Sequence, residues 1–254
     1  MCNTSMSRSG AAAAVVLVAL LASAGGGASA DDRPASDFFS VDGVRIHYLV
    51  QGSGTPVLLV HGWYSSAELN WAAPGIVAAL ARNHRVIAPD LPEYGRSDKP
   101  AGAAAYGEQW IEDMARLLDH LSVPKAHIIG YPMGGMVALK FTARHPDRAV
   151  SQLLGGMGYM REGGALQKTW AGMRDTASRS VSELALTPEQ VKAVRTPTEI
   201  VVGGKDFVKK LYVDPLLAVR RDWPVVEIDG ADHISCILKS QFRDELARWL
   251  DRQG

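Results

Sequence analysis

Between residues 38 and 252 the chain alternates two patterns of hydrophobic and polar positions. Short runs of β-branched and aliphatic residues, at 56–60, 85–88, 126–130, 150–154, 199–202 and 225–228, have the length and composition of buried strands. Longer stretches repeat their apolar positions every three or four residues. In 106–121 these are Trp110, Ile111, Met114, Leu117, Leu118 and Leu121, and 133–144 and 240–250 read as further helices, the last of them amphipathic. Residues 44–50 alternate like an antiparallel strand, and Gly52-Ser53-Gly54 turns it. Strands alternating with helices predict an α/β domain, a mostly parallel central sheet flanked by helices.

Residues 161–196 break this rhythm. They are polar and helix-prone, and they lie between two predicted strands. Two readings stand: a short lid over one end of the sheet, or an ordinary crossover helix with a long loop. As a lid, the segment would offer Trp170, Met173 and Leu184 to a modest apolar pocket.

The first thirty residues follow another logic. Arg8 is their only charge, and an apolar run from 11 to 24 follows it, short for a membrane span but suited to a signal-peptide core. Ala28-Ser29-Ala30 then gives the small-x-small pattern of a cleavage site, before Asp31-Asp32. Residues 1–30 are therefore expected to be a signal peptide and 31–254 a single exported domain, periplasmic or secreted. A retained anchor is the alternative. Cleavage would remove Cys2 and leave Cys236 alone in an apolar stretch, a small core residue with no disulfide partner.

Composition narrows the partners. The chain has 27 Lys+Arg against 27 Asp+Glu, without the basic excess that nucleic acid or an anionic membrane surface would require. With 47% hydrophobic residues it has ample material for a core and is no disordered chain. The expected partner is a small apolar or ester-like molecule. The histidines show no ligand spacing, so no metal is called for, and the glycines at 134 and 135 need no phosphate; no cofactor is expected. Nothing in the sequence sets an oligomeric state.

Several segments that follow predicted strands carry candidate chemistry. They are His61-Gly62-Trp63-Tyr64-Ser65-Ser66, the stretch from Asp90 to Asp98, Gly130-Tyr131-Pro132-Met133-Gly134 leading into a helix, Gly203-Gly204-Lys205-Asp206, and Gly230-Ala231-Asp232-His233. In this order and in this strand context they resemble the α/β-hydrolase superfamily, its serine esterases and lipases in particular, over roughly residues 38–252. The resemblance implies acyl transfer by a nucleophile, a base and an orienting acid in chain order. It makes His233 the base and Asp206 the acid, with Asp214 a nearby rival. The backbone N–H groups of Met133 and Trp63 would form the oxyanion hole. His61 would be structural, and residues 90–98 a packing and turn segment, with Glu93 where glycine is commoner. Tyr64, Tyr131 and Trp170 are the candidate substrate-binding residues, although strand alternation turns Tyr131 toward the core or a neighbouring strand.

At the centre of the Gly-x-Ser-x-Gly pattern this chain has Pro132. Proline has no nucleophilic atom. Its ring holds φ near −65°, whereas the resemblance implies a strained turn with positive φ at that position. The segment reads instead as a plain strand-to-helix entry, since proline suits a first helical turn and biases Tyr131 toward an extended conformation. No second Gly-x-Ser-x-Gly occurs. Three readings follow: a serine-hydrolase scaffold whose ester hydrolysis is very weak or absent, a non-catalytic protein that binds a small ligand in the old pocket, or a non-hydrolytic enzyme using His233–Asp206 as a general base.

Overall fold

The computed structural model describes residues 33–253. The expected signal peptide lies outside the described residues. Eight strands form one sheet: β1 (Ala35–Val41), β2 (Val44–Gln51), β3 (Thr55–Val60), β4 (His84–Pro89), β5 (Ala126–Gly130), β6 (Ala149–Gly155), β7 (Thr198–Gly203) and β8 (Val225–Ile228). Their order is β1-β2-β4-β3-β5-β6-β7-β8. β2 pairs antiparallel with both β1 and β4, and every other pairing is parallel. The sheet is thus mostly parallel, as the alternation of strands and helices predicts.

Strand alternation sorts the core into two layers. In β3, Val57 and Leu59 belong to one hydrophobic cluster and Leu58 and Val60 to the other, so the strand is apolar on both faces. Helices α1 (Ile76–Leu80) and α8 (Ser240–Asp251) cover the first face. Helices α2 (Glu108–His120) and α3 (Met133–Arg144) cover the second, together with α6 (Pro188–Ala193) and α7 (Asp214–Val219). The chain leaves β3 for β4 on one side and returns to β5 on the other. The sheet therefore reverses its winding at β3, and the loops after β3 and β5 meet at the carboxyl ends of their strands, where open α/β sheets place ligands.

Two parts of the fold differ from the sequence-based expectations. β1 was not predicted; it is a mostly exposed edge strand, so burial imposes no alternation on it. It is joined to β2 by Asp42-Gly43, with φ of 49° and 80°, the left-handed pair that a two-residue hairpin demands. The segment 161–196 contains short helices, α4 (Ala165–Ala171), α5 (Thr176–Ser180), a single 3₁₀ turn (Val181–Leu184) and α6, where the alternative reading had one crossover helix. Leu184, a candidate pocket liner, lies buried in the core instead. Lys140 of α3 secures this segment: its Nζ donates to the carbonyls of Glu183 and Ala185 at 3.1 Å each and pairs with Glu108 at 2.9 Å.

One buried acid makes the fold sensitive to pH. Asp113 lies on the buried face of α2, where its carboxylate accepts a hydrogen bond from Gln109 Nε2 at 2.9 Å. Burial pushes its pKa up to about 6, with the Gln109 bond opposing. A folded pKa above the unfolded value means that the native state binds the extra proton, so stability falls as pH rises from about 4 to about 6 and stays reduced above that. Asp113→Asn removes the charge and keeps an acceptor. It should raise Tm at pH 8 by on the order of 2–4 °C and leave it nearly unchanged at pH 4, as read by thermal unfolding at the two pH values.

Candidate active site

The loops after β7 and β8 are stitched together by backbone bonds. Lys205 N–H donates to Ala231 O at 2.8 Å and Gly204 N–H to Ile228 O at 2.9 Å. They bring His233 Nδ1 to 2.9 Å from Asp206 Oδ2, with the Asp206 side chain fully buried and the His233 side chain 21% exposed. Asp206 Oδ1 accepts the Val208 N–H at 2.9 Å. An ionised carboxylate only accepts, so the neutral imidazole carries its proton on Nδ1 and leaves Nε2 bare. Among the described residues Nε2 has no hydrogen-bond partner. Asp214, the rival acid, is the exposed first residue of α7.

The His233 loop is held from within and from below. Asp232 Oδ1 accepts the N–H groups of Ile234 at 3.0 Å and Ser235 at 2.8 Å. Tyr131 is buried; its ring stacks on His233 at 6.2 Å and its hydroxyl donates to His233 O at 2.5 Å. Burial raises the Tyr131 pKa, and nearby Cys236 and Asp206 push the same way, so the donor proton stays in place. Tyr131 therefore supports the histidine loop and lines no open surface, a correction to its place among the candidate substrate-binding residues. Cys236 beside it is a core thiol, pushed up to about 12 chiefly by burial.

The turn between β5 and α3 is the other half of the site. Pro132 has φ −74° and ψ −45°, right-handed helical values, and its carbonyl accepts the Gly135 N–H at 2.9 Å. Its ring rests against Gly62, where an added Cβ would come within 2.3 Å of Pro132 Cδ and 2.9 Å of Tyr131 O. Gly62 N–H donates to Asn70 Oδ1 at 2.7 Å, a partner without any motif in the sequence. His61 donates through Nδ1 to Gly62 O at 2.8 Å and accepts the Leu91 N–H on Nε2 at 3.0 Å. Its pKa is lowered chiefly by burial, which keeps it neutral for this bridging role. Of the residues that follow Gly62 and Pro132, Trp63 is part-exposed and Met133 is buried in the core.

Aromatic side chains gather around Trp63. Trp63, 37% exposed, donates its indole N–H to Ser178 Oγ at 2.9 Å and meets Trp170 edge-on at 5.2 Å. Trp170 in turn donates to Tyr212 OH at 3.1 Å. Tyr64, at φ 51°, is 69% exposed and contacts Trp63 at 4.6 Å. Phe207, 68% exposed, lies 5.5 Å from the His233 ring. Ser178 and Phe207 were not singled out in the sequence; no pattern marks a lone serine in a helix-prone segment or one aromatic after an acid.

The architecture agrees with what known proteins show. A family model described as alpha/beta hydrolase fold matches residues 55–152. Solved structures align over most of the chain: a bacterial membrane phospholipase A with TM-score 0.70 and 22% identity, covering 88% of this chain and 87% of that one. A meta-cleavage product hydrolase from Pseudomonas fluorescens aligns with TM-score 0.69 and 21% identity over 88% of this chain and 99% of that one. The chain has the α/β-hydrolase fold. Among curated proteins it is similar to a 2-hydroxymuconate semialdehyde hydrolase of a Pseudomonas strain, 34% identical over 45% of this chain and 40% of the relative. It is also similar to a haloalkane dehalogenase of Psychrobacter cryohalolentis, 40% identical over 41% of this chain and 35% of the relative. These matches span less than half the length of those relatives.

The Gly62–Pro132 contact can be tested by mutation. Gly62→Ala should destabilise the protein by about 1–3 kcal/mol, the cost of overpacking a tight contact. In a Pro132→Ala background the same change should cost measurably less, because the pyrrolidine Cδ is gone while Tyr131 O remains. A double-mutant cycle in denaturant that shows strict additivity would refute the contact.

Proposed function

We propose that this protein is an exported relative of ester and acyl hydrolases in which Pro132 occupies the nucleophile position. Ester hydrolysis at His233–Asp206 is then very weak or absent. The carrying observation is the Asp206–His233 pair, 2.9 Å apart with a free Nε2, beside a turn in which Pro132 presents only a saturated ring. A base so arranged would take a proton from a hydroxyl at the turn, and Pro132 has none. The helical φ of Pro132 also supports the loss of the strained turn that would expose a nucleophile. The oxyanion role of the Trp63 and Met133 amides belongs to the same proposal. The relatives are named for quite different substrates, so no substrate class passes from them to this chain.

A second reading, a non-catalytic protein that holds a small apolar molecule, is favoured by the exposed aromatic rings of Trp63 and Tyr64 and of Phe207, which lies beside His233. A ligand of this surface would raise Tm with concentration as RT ln(1 + [L]/Kd). The segment 161–196 would act as the lid over it. Export predicts that the mature chain begins at Asp31, which N-terminal sequencing of the secreted or periplasmic protein reads directly; a chain still carrying residues 1–30 would contradict it.

The catalytic reading rests on one substitution. Pro132→Ser restores a hydroxyl and frees φ. It should raise hydrolysis of a neutral short-chain aryl ester by at least about a hundredfold over the parent, and His233→Ala added to it should abolish the gain. No gain in a folded Pro132→Ser variant would refute a preassembled base, acid and oxyanion hole. Attention would then move to ligand binding.

A further inference from the structure

A second histidine–carboxylate pair lies at the other end of the sheet, where β1 and β2 meet the loop after β4. His47 Nδ1 is 2.8 Å from Asp90 Oδ2, and both side chains are buried. Ser36 Oγ on β1 is 2.9 Å from His47 Nε2. Arg96 Nη1 donates to Ser36 Oγ at 2.6 Å and stands 3.2 Å from His47 Nε2. Ser36 and Arg96 are exposed, so the hydroxyl faces solvent with its histidine behind it.

The proton positions follow from the partners. Arginine only donates, so a guanidinium N–H directed at Nε2 requires a lone pair there, and Nδ1 carries the proton that Asp90 accepts. Burial alone would raise the Asp90 pKa. The bonds from His47 and from the Arg96 and Ala67 amides instead hold it below the usual carboxylate range, so it is ionised. Ser97 Oγ accepts the His47 N–H at 2.9 Å and donates to Asp90 O at 2.6 Å, which fixes the histidine's backbone. The buried pair ties the hairpin to the loop after β4, but that role requires neither the Ser36 hydroxyl nor the Arg96 guanidinium. Among the described residues Arg96 has no carboxylate within ion-pair distance.

We propose that Ser36, His47, Asp90 and Arg96 form a second acyl-transfer site, one that takes small activated esters bearing a negative charge. Ser36 Oγ bonds to the acyl carbon as His47 Nε2 takes the hydroxyl proton. The carbonyl electron pair moves to an oxygen beside Arg96, and its return expels the alkoxide or phenoxide, which leaves with the proton from His47. Water, deprotonated by the same nitrogen, then releases the acid and restores Ser36. The preference for an anion comes from Arg96, whose guanidinium lies 5.3 Å from the centre of the Phe38 ring next to this group; Arg45 on the same ring is already paired with Asp98 at 3.6 Å.

The test uses the full chain with the acetate ester of 4-hydroxy-3-nitrobenzoate, beside neutral 4-nitrophenyl acetate. Mass spectrometry of quenched peptides should place an acetyl group on Ser36. Ser36→Ala should lower release of the nitrophenol from the anionic ester at least about tenfold, while Ser40→Ala, an exposed serine on the same strand, keeps the rate. Arg96→Met should lose the preference for the anionic ester. Acylation elsewhere, no acylation of a folded parent, or an undiminished rate in Ser36→Ala overturns the site. An unchanged preference in Arg96→Met overturns the role given to that arginine. The adduct's position separates this site from His233, so its failure leaves the reading of the Pro132 turn untouched.

Discussion

Contact between the start of α3 and the ends of β3 and β5 is the constraint on which the candidate site depends. A Cβ on Gly134 would lie 1.9 Å from Val60 O, and one on Gly130 would lie 1.9 Å from Gly134 O. Backbone touches backbone at both places, so neither glycine can take a side chain without pushing the helix off the sheet, and the two residues of the turn have little slack. Proline in that turn enters the helix directly. Its ring, which cannot rotate away, fills the space against Gly62 and thereby sets where the loop after β3 begins. His61 carries the same constraint outward by joining Gly62 O to the Leu91 N–H, which ties the loop after β4 to the same point.

The interior of this fold was legible because its strands are apolar on both faces. Runs such as 56–60 and 199–202 admit few other readings, and the helical spacing of Trp110, Ile111, Met114 and Leu117 marks α2 in the same way. The edge was not legible. β1 presents most of its residues to solvent, so its composition is set by no core, and only the Asp42-Gly43 dipeptide signals the hairpin. The segment 161–196 resisted for a related reason: its helices have five to seven residues, shorter than the span over which periodicity becomes visible.

The candidate site divides along the same line. Asp206 and His233 each follow a strand, the buried β7 and the partly exposed β8, so chain order alone points to them. The groups that hold them in place do not follow strands in any pattern. Asn70 reaches Gly62 from a single helical turn, Ser178 reaches Trp63 from a distant segment, and Tyr131 turned out to act under the histidine rather than over it. Such partners are chosen by proximity in the folded chain, and one residue of the right polarity at the right place leaves no periodic trace.

The two histidine–carboxylate pairs show why the pair itself does not define a chemistry. In both, a buried carboxylate bound to Nδ1 leaves the outer nitrogen bare, so the tautomer is the same. The environment of Nε2 differs. At His233 the imidazole lies 5.5 Å from the Phe207 ring and the nearby turn offers a proline ring that can neither give nor take a proton. At His47 it meets a hydroxyl that is itself polarised by a guanidinium. Proton transfer requires a donor whose conjugate base is stabilised when the proton leaves, and a cation at 2.6 Å from the oxygen supplies that stabilisation where a saturated ring supplies none. In this chain the third group, and not the dyad, decides where a nucleophile can form.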